Sequence, residues 1–161
     1  MKRIPVPAYD QSPGKCGPTA LRSVLEHHGV KRSEAELARL CDWDKDEGAS
    51  PGSMVDAAKG LGMSARAEVG WTLNDLEEAV ERGAPVIVDW DPHDEGVEVG
   101  SHYSVVVRVT GEDVELMDPE PGKFVTVARV KFEELWIRGR AIVVEPRSAL
   151  KRWSERKLRR R

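Results

Sequence analysis

The stretch Asp10-Gln11-Ser12-Pro13-Gly14-Lys15-Cys16-Gly17-Pro18-Thr19-Ala20 runs from turn-forming residues straight into a helical pattern. Ala20, Leu21, Val24, Leu25 and His28 fall on one face, and Pro18 suits a first helical position. A helix is therefore predicted over residues 17–28, stopped by Gly29. Cys16 then stands at its first turn, where free N–H groups and the positive end of the helix dipole favour a thiolate. Such a thiolate is a nucleophile, and the same N–H groups are placed to hold an oxyanion. A small buried apolar cysteine is the competing reading of the same segment.

The rest of the chain bounds these alternatives. Its 161 residues make one domain the simplest organisation, able to bury roughly two-thirds of its unfolded surface. The hydrophobic share of 40% and the charged share of 33% are those of an ordinary globular protein. Lys+Arg 25 against Asp+Glu 28 leaves a net charge of -3, which gives no general attraction for nucleic acid. No apolar run approaches the ~20 residues of a membrane span, and no signal-peptide pattern opens the chain. Without an export signal, Cys16 and Cys41 read better as reduced thiols than as a disulfide, and the expected location is cytoplasmic.

Three further helices are predicted. One opens at Ser33 with Glu36 as a capping box, one covers residues 52–61, and one runs from about Thr72 or Asn74 to Gly83. After Gly83 the period changes to that of strands: Pro85 to Trp90, His102 to Val109, Val114 to Met117, Phe124 to Val127 and Arg140 to Val144. Thr110-Gly111-Glu112-Asp113 reads as a hairpin turn, and a short helical piece lies over residues 132–136. Helices first and strands afterwards argue for an α+β fold, N-terminal helices packed on an antiparallel sheet. The expected organisation is one domain over residues 1–146 and a basic helical tail over 147–161. That tail reads either as a solvated terminal helix or as a contact for an acidic partner or membrane surface.

A cysteine nucleophile needs a base that titrates near neutral pH, which points to histidine. His27 and His28 lie about three turns along the helix of Cys16, too far at ~1.5 Å per residue. His93 sits in the acidic loop of residues 91–100, where it reads as solvent-exposed and shows no metal-ligand spacing. His102 opens a strand after Gly100-Ser101, a place from which a side chain can face a cleft. Folding the chain back at the hairpin brings Asp118 near it, since diagonal cross-strand partners lie ~7–8 Å apart. A one-residue slip of register would put the two on opposite faces, and Asp118 before Pro119 also reads as a simple turn aspartate. Gln11, just upstream of Cys16, offers an amide that could donate to an oxyanion.

The chain order Gln, Cys at a helix start, His on a strand and Asp on the next is that of the papain-like cysteine hydrolases. Gln11…Cys16-Gly17-Pro18-Thr19-Ala20-Leu21 and Gly100-Ser101-His102-Tyr103-Ser104-Val105…Asp118-Pro119…Gly122 resemble the double-glycine leader peptidases, bacteriocin-processing enzymes often fused to ABC transporters. The resemblance extends from about Val6 to Val144. It implies a papain-like fold with Cys16 as nucleophile, His102 as base, Asp118 as its orienting group and Gln11 in the oxyanion hole. It implies a peptide or protein substrate, cut after Gly-Gly in the transporter-fused members, and it calls for neither cofactor nor metal. No transporter segments occur in this sequence, and the acidic 91–100 loop is placed to reshape the substrate cleft. A non-catalytic peptide-binding module, or an acyl transferase using the same site, is the alternative.

Overall fold

The apolar runs after Gly83 pair into one antiparallel sheet. The computed structural model describes residues 2–92 and 101–160. Its strands are β1 (Met63–Glu68), β2 (Val86–Trp90), β3 (His102–Val109), β4 (Asp113–Asp118), β5 (Lys123–Ala128) and β6 (Trp136–Pro146). They lie in the order β1-β6-β2-β3-β4-β5, every neighbouring pair antiparallel. All five residues of β2 are buried, as a central strand covered on both faces requires. β5, at one edge, has only half-buried and exposed positions.

The helices are α1 (Cys16–His27), α2 (Glu34–Leu40), α3 (Pro51–Gly60), α4 (Leu73–Glu81), α5 (Arg129–Leu135) and α6 (Arg147–Arg159). α1 packs on β3, α3 on β1, and α4 on β3 and β2. Leu21, Val24 and Leu25 of α1 are fully buried against this sheet, so the helical stripe read from the sequence is the one that meets the core. This is the expected α+β architecture, N-terminal helices packed on an antiparallel sheet. Among the described residues no helix is long and apolar enough to cross a membrane.

Several boundaries differ from the sequence expectation. α1 begins at Cys16, so Pro18 is the third helical residue and not the first. Its missing N–H is still one of the donors that have no intrahelical acceptor, so proline fits there equally well. At Ser33 only half of the expected capping box forms. The Ser33 hydroxyl accepts from Glu36 N, while the Glu36 carboxylate faces Arg32 at 3.5 Å. The reciprocal box closes instead at the start of α4, between Thr72 and Asp75.

β1 was not expected. Met63-Ser64-Ala65-Arg66-Ala67-Glu68 alternates, but alanine is a weak strand former, and the segment is ordered by pairing with β6, Ala65 opposite Val144 and Ala67 opposite Ile142. Trp136 begins β6 and does not end the preceding helix. His93 and residues 93–100 of the acidic loop lie outside the described residues.

Candidate active site

Cys16 is the first residue of α1, and no side chain caps this helix at Lys15. The first-turn N–H groups therefore lack an intrahelical acceptor and are available to an anion. The turn before Cys16 is fixed from both sides. Trp43 Nε1 donates to Gly14 O at 2.9 Å, and the Lys15 ammonium lies 4.8 Å from the centre of the Trp43 ring. The Glu34 carboxylate accepts from Ser12 N at 2.9 Å and from the Thr19 hydroxyl at 2.7 Å. Both cysteines are free thiols. Cys16 is half-buried, whereas Cys41 is wholly buried and desolvation pushes its pKa up to about 12.

His102 Nε2 lies 2.7 Å from Asp118 Oδ1, with both side chains buried. A bulge makes this pair possible. Counted back from Val109 opposite Val114, at the hairpin turn, His102 and Asp118 would face opposite sides of the sheet. The register shifts by one residue between Val106 and Arg108, leaving Val107 unpaired. Beyond it Val106 faces Leu116 and Val105 faces Met117, so the parity inverts. Continued one step, that register sets Ser104 beside Asp118 and makes His102 its diagonal neighbour on the same face. The carbonyl of the bulged Val107 is not left empty, since it accepts from Ile4 N at 3.0 Å.

Asp118 Oδ1 also accepts from Glu120 N at 3.0 Å, which fixes the carboxylate for the imidazole. With Nε2 committed to Asp118, Nδ1 is the ring nitrogen left to serve the Cys16 thiol, which lines the same cavity. Burial disfavours the imidazolium, but hydrogen bonds and charge from Asp118 and Cys16 outweigh it and push the His102 pKa up to about 10. His102 is thus a cation beside a sulfur. That is the partner a thiolate requires.

Gln11 is brought to the same place by its backbone. Gln11 N donates to Pro119 O at 2.8 Å, immediately after Asp118, and Gly122 N closes the turn onto Asp118 O at 3.0 Å. Gly122 has φ +65, and a Cβ there would come within 2.9 Å of Asp10 Cα. Only glycine lets the segment carrying Gln11 lie this close to the β4–β5 turn. Gln11, Cys16 and His102 line one cavity of about 310 Å³. The Gln11 Oε1 is buried with no partner among the described residues. If its amide serves an oxyanion, Gln11→Ala should lower kcat by roughly 10²- to 10³-fold with little change in KM, measured by steady-state peptide cleavage.

The opposite wall of the cavity was not read from the sequence. Residues 45–49 form it, held by paired backbone bonds between Asp44 and Gly48 at 3.0 and 2.7 Å. Asp44 Oδ1 accepts from Asp46 N and Glu47 N, the Asx-type turn that Asp44-Lys45-Asp46-Glu47-Gly48 could have signalled. His27 and His28 lie at the far end of α1, on the carbonyls of Pro5 and Val144 at 3.2 and 3.0 Å. Among the described residues no cluster of His, Cys, Asp or Glu is arranged to hold a metal ion.

Residues 7–149 match the model of the peptidase C39 family. An uncharacterized protein of Methanothermobacter thermautotrophicus is 35% identical over 132 residues, 81% of each chain. A second, from Methanothermobacter marburgensis, is 35% identical over 138 residues, 84% of this chain and 85% of the other. Among solved structures, the peptidase domain of Streptococcus ComA, a bifunctional ABC transporter involved in a quorum-sensing pathway, superposes with a TM-score of 0.76. It is 28% identical, and the match covers 89% of this chain and 100% of that one. A double-glycine-motif protease from an AMS/PCAT transporter, solved with its leader peptide, shares the fold at TM-score 0.74 and 20% identity, over 91% of this chain and 95% of that one.

Proposed function

Because this chain belongs to the peptidase C39 family and has its papain-like fold, we propose that it is a cysteine peptidase working through Cys16, His102 and Asp118. The observation that carries this reading is the buried His102–Asp118 pair at 2.7 Å, with Cys16 lining the same cavity as the imidazole.

In the first half-reaction the Cys16 sulfur attacks the carbonyl carbon of a peptide bond and an S–C bond forms. The oxygen becomes an oxyanion, received by the Cys16 N–H at the head of α1 and by the Gln11 amide. The His102 imidazolium gives its proton to the departing amine, the C–N bond breaks and a thioester remains. In the second half, His102 takes a proton from water, the hydroxide attacks the thioester, and the S–C bond breaks to release the acid. Asp118 holds the imidazole in orientation throughout.

Leader-peptide processing after a small-residue pair is the substrate class we propose, since a structural neighbour is a double-glycine-motif protease solved with its leader. A degenerate peptide library incubated with the wild type and with Cys16→Ala, read by mass spectrometry, tests the reading. New termini produced by the wild type alone are expected. Cleavage by both proteins, or by neither, would contradict it.

A further inference from the structure

A second cavity, of about 260 Å³, adjoins the cleft just described. Tyr103 lines both, so it is their common wall. Ala67, Ile87 and Ile142 give this second cavity an apolar lining, and Asp89 and Arg140 supply its polar groups.

Asp89 is an anomaly in its strand. It falls in Val86-Ile87-Val88-Asp89-Trp90, a run otherwise wholly apolar, and it is only 2% exposed. Alternation along β2 puts it on the face of Ile87, with Tyr103 directly opposite on β3. Arg140 Nη1 donates to Oδ2 at 3.1 Å. Among the described residues Oδ1 has no hydrogen-bond partner. Burial raises the Asp89 pKa above the usual carboxylate range, against the opposing pull of Arg140 and Ser101, so the charge is incompletely compensated. A buried acceptor of this kind is costly to leave empty, and the cavity that Asp89 lines gives a partner from outside a place to meet it.

The lining dictates what that partner looks like. Apolar walls select an apolar stem. The free oxygen selects a hydrogen-bond donor at the tip. Arg140 already supplies a cation to the same carboxylate, and a second cation would sit against it, so the donor is neutral.

We infer that this cavity is a specificity subsite of the proposed peptidase. It takes one substrate side chain that is apolar along its length and ends in a neutral donor, tyrosine or tryptophan, whose O–H or N–H bonds Asp89 Oδ1. The inference rests on the peptidase reading, because the shared Tyr103 wall makes the occupant part of the same extended peptide that lies across Cys16.

The test is a position-scanned peptide library followed by a matched pair of peptides, Tyr against Phe at the selected position. The wild type should prefer Tyr over Phe by roughly 10- to 100-fold in kcat/KM, because Phe leaves the acceptor unpaired. Asp89→Leu should erase that preference, leaving the Tyr and Phe peptides cut at about the same rate. Ala67→Phe narrows the cavity from its wall and leaves Asp89 and Arg140 themselves unchanged. It should slow cleavage of both peptides and spare those with alanine at that position. Selection of neither Tyr nor Trp at any position, or a Tyr preference that survives both substitutions, overturns the subsite. Iodoacetamide labelling of Cys16 needs no subsite and keeps the two readings apart. Fast labelling without Tyr selection refutes the subsite alone, and slow labelling refutes the peptidase reading beneath it.

Discussion

Cys16→Ala should lose peptide cleavage by on the order of 10⁵- to 10⁶-fold in kcat, and Cys16→Ala combined with His102→Ala should be no worse than either alone. The two groups act in one step. Without the sulfur, the imidazole has no nucleophile to serve. Without the imidazole, the sulfur loses both its charged partner and the proton donor for the leaving amine. Losses that added in the double variant would mean that the two residues act independently, against the influence of Cys16 on the His102 charge. Because Cys16 is half-buried at the edge of a cavity, alanine there should leave the melting temperature nearly unchanged, and a thermal melt separates lost chemistry from lost fold.

Asp118→Asn should move the alkaline limb of kcat/KM to lower pH. The sign follows from the proton inventory. His102 must be protonated to expel the amine, and its pKa, up at about 10, keeps it so across the neutral range. Removing the Asp118 charge removes one of the principal causes of that elevation, so the limb slides toward the ordinary histidine value. At about pH 6 the variant should lose little on this ground, whereas at about pH 9 it should fall a further 10- to 100-fold or so below wild type. A pH–rate profile from about 5 to 10 reads the shift directly. An unmoved limb would show that Asp118 does not set the charge state of His102.

The candidate residues of the site were legible before the structure, and the hairpin already pointed to an approach of His102 and Asp118, but the register that joins them was not legible. Cys16 at a helix start, His102 at a strand start and Gln11 upstream were each marked by local chemistry. That His102 and Asp118 meet depends on the bulge at Val107. It lies in Val105-Val106-Val107, a run in which nothing distinguishes one valine from the next. Counting residues from the hairpin turn gives the wrong parity, and the bulged carbonyl finds its donor in Ile4, more than a hundred residues away. Gln11 likewise depends on a remote contact, the close approach of Asp10 to Gly122.

β1 escaped notice for a related reason. Its alanines have little strand preference of their own, and the partner that orders them, β6, lies near the other end of the chain. Asp89 was read only as part of a strand, because burial and a missing partner are properties of the folded surroundings. What periodicity does carry is the α1 stripe and the apolar strands β2 and β3. These anchor the cleft between the head of α1 and the start of β3.

The most direct measurement is the rate at which iodoacetamide alkylates each cysteine at mildly acidic pH, in the wild type and in His102→Ala, read by peptide mapping. Cys41 provides the internal reference, since it is buried and its pKa is pushed up to about 12. Cys16 should react far faster than Cys41 in the wild type and should lose most of that advantage in His102→Ala. Equal slow labelling of the two thiols, or a Cys16 rate indifferent to His102, would contradict a thiolate held by the His102–Asp118 pair.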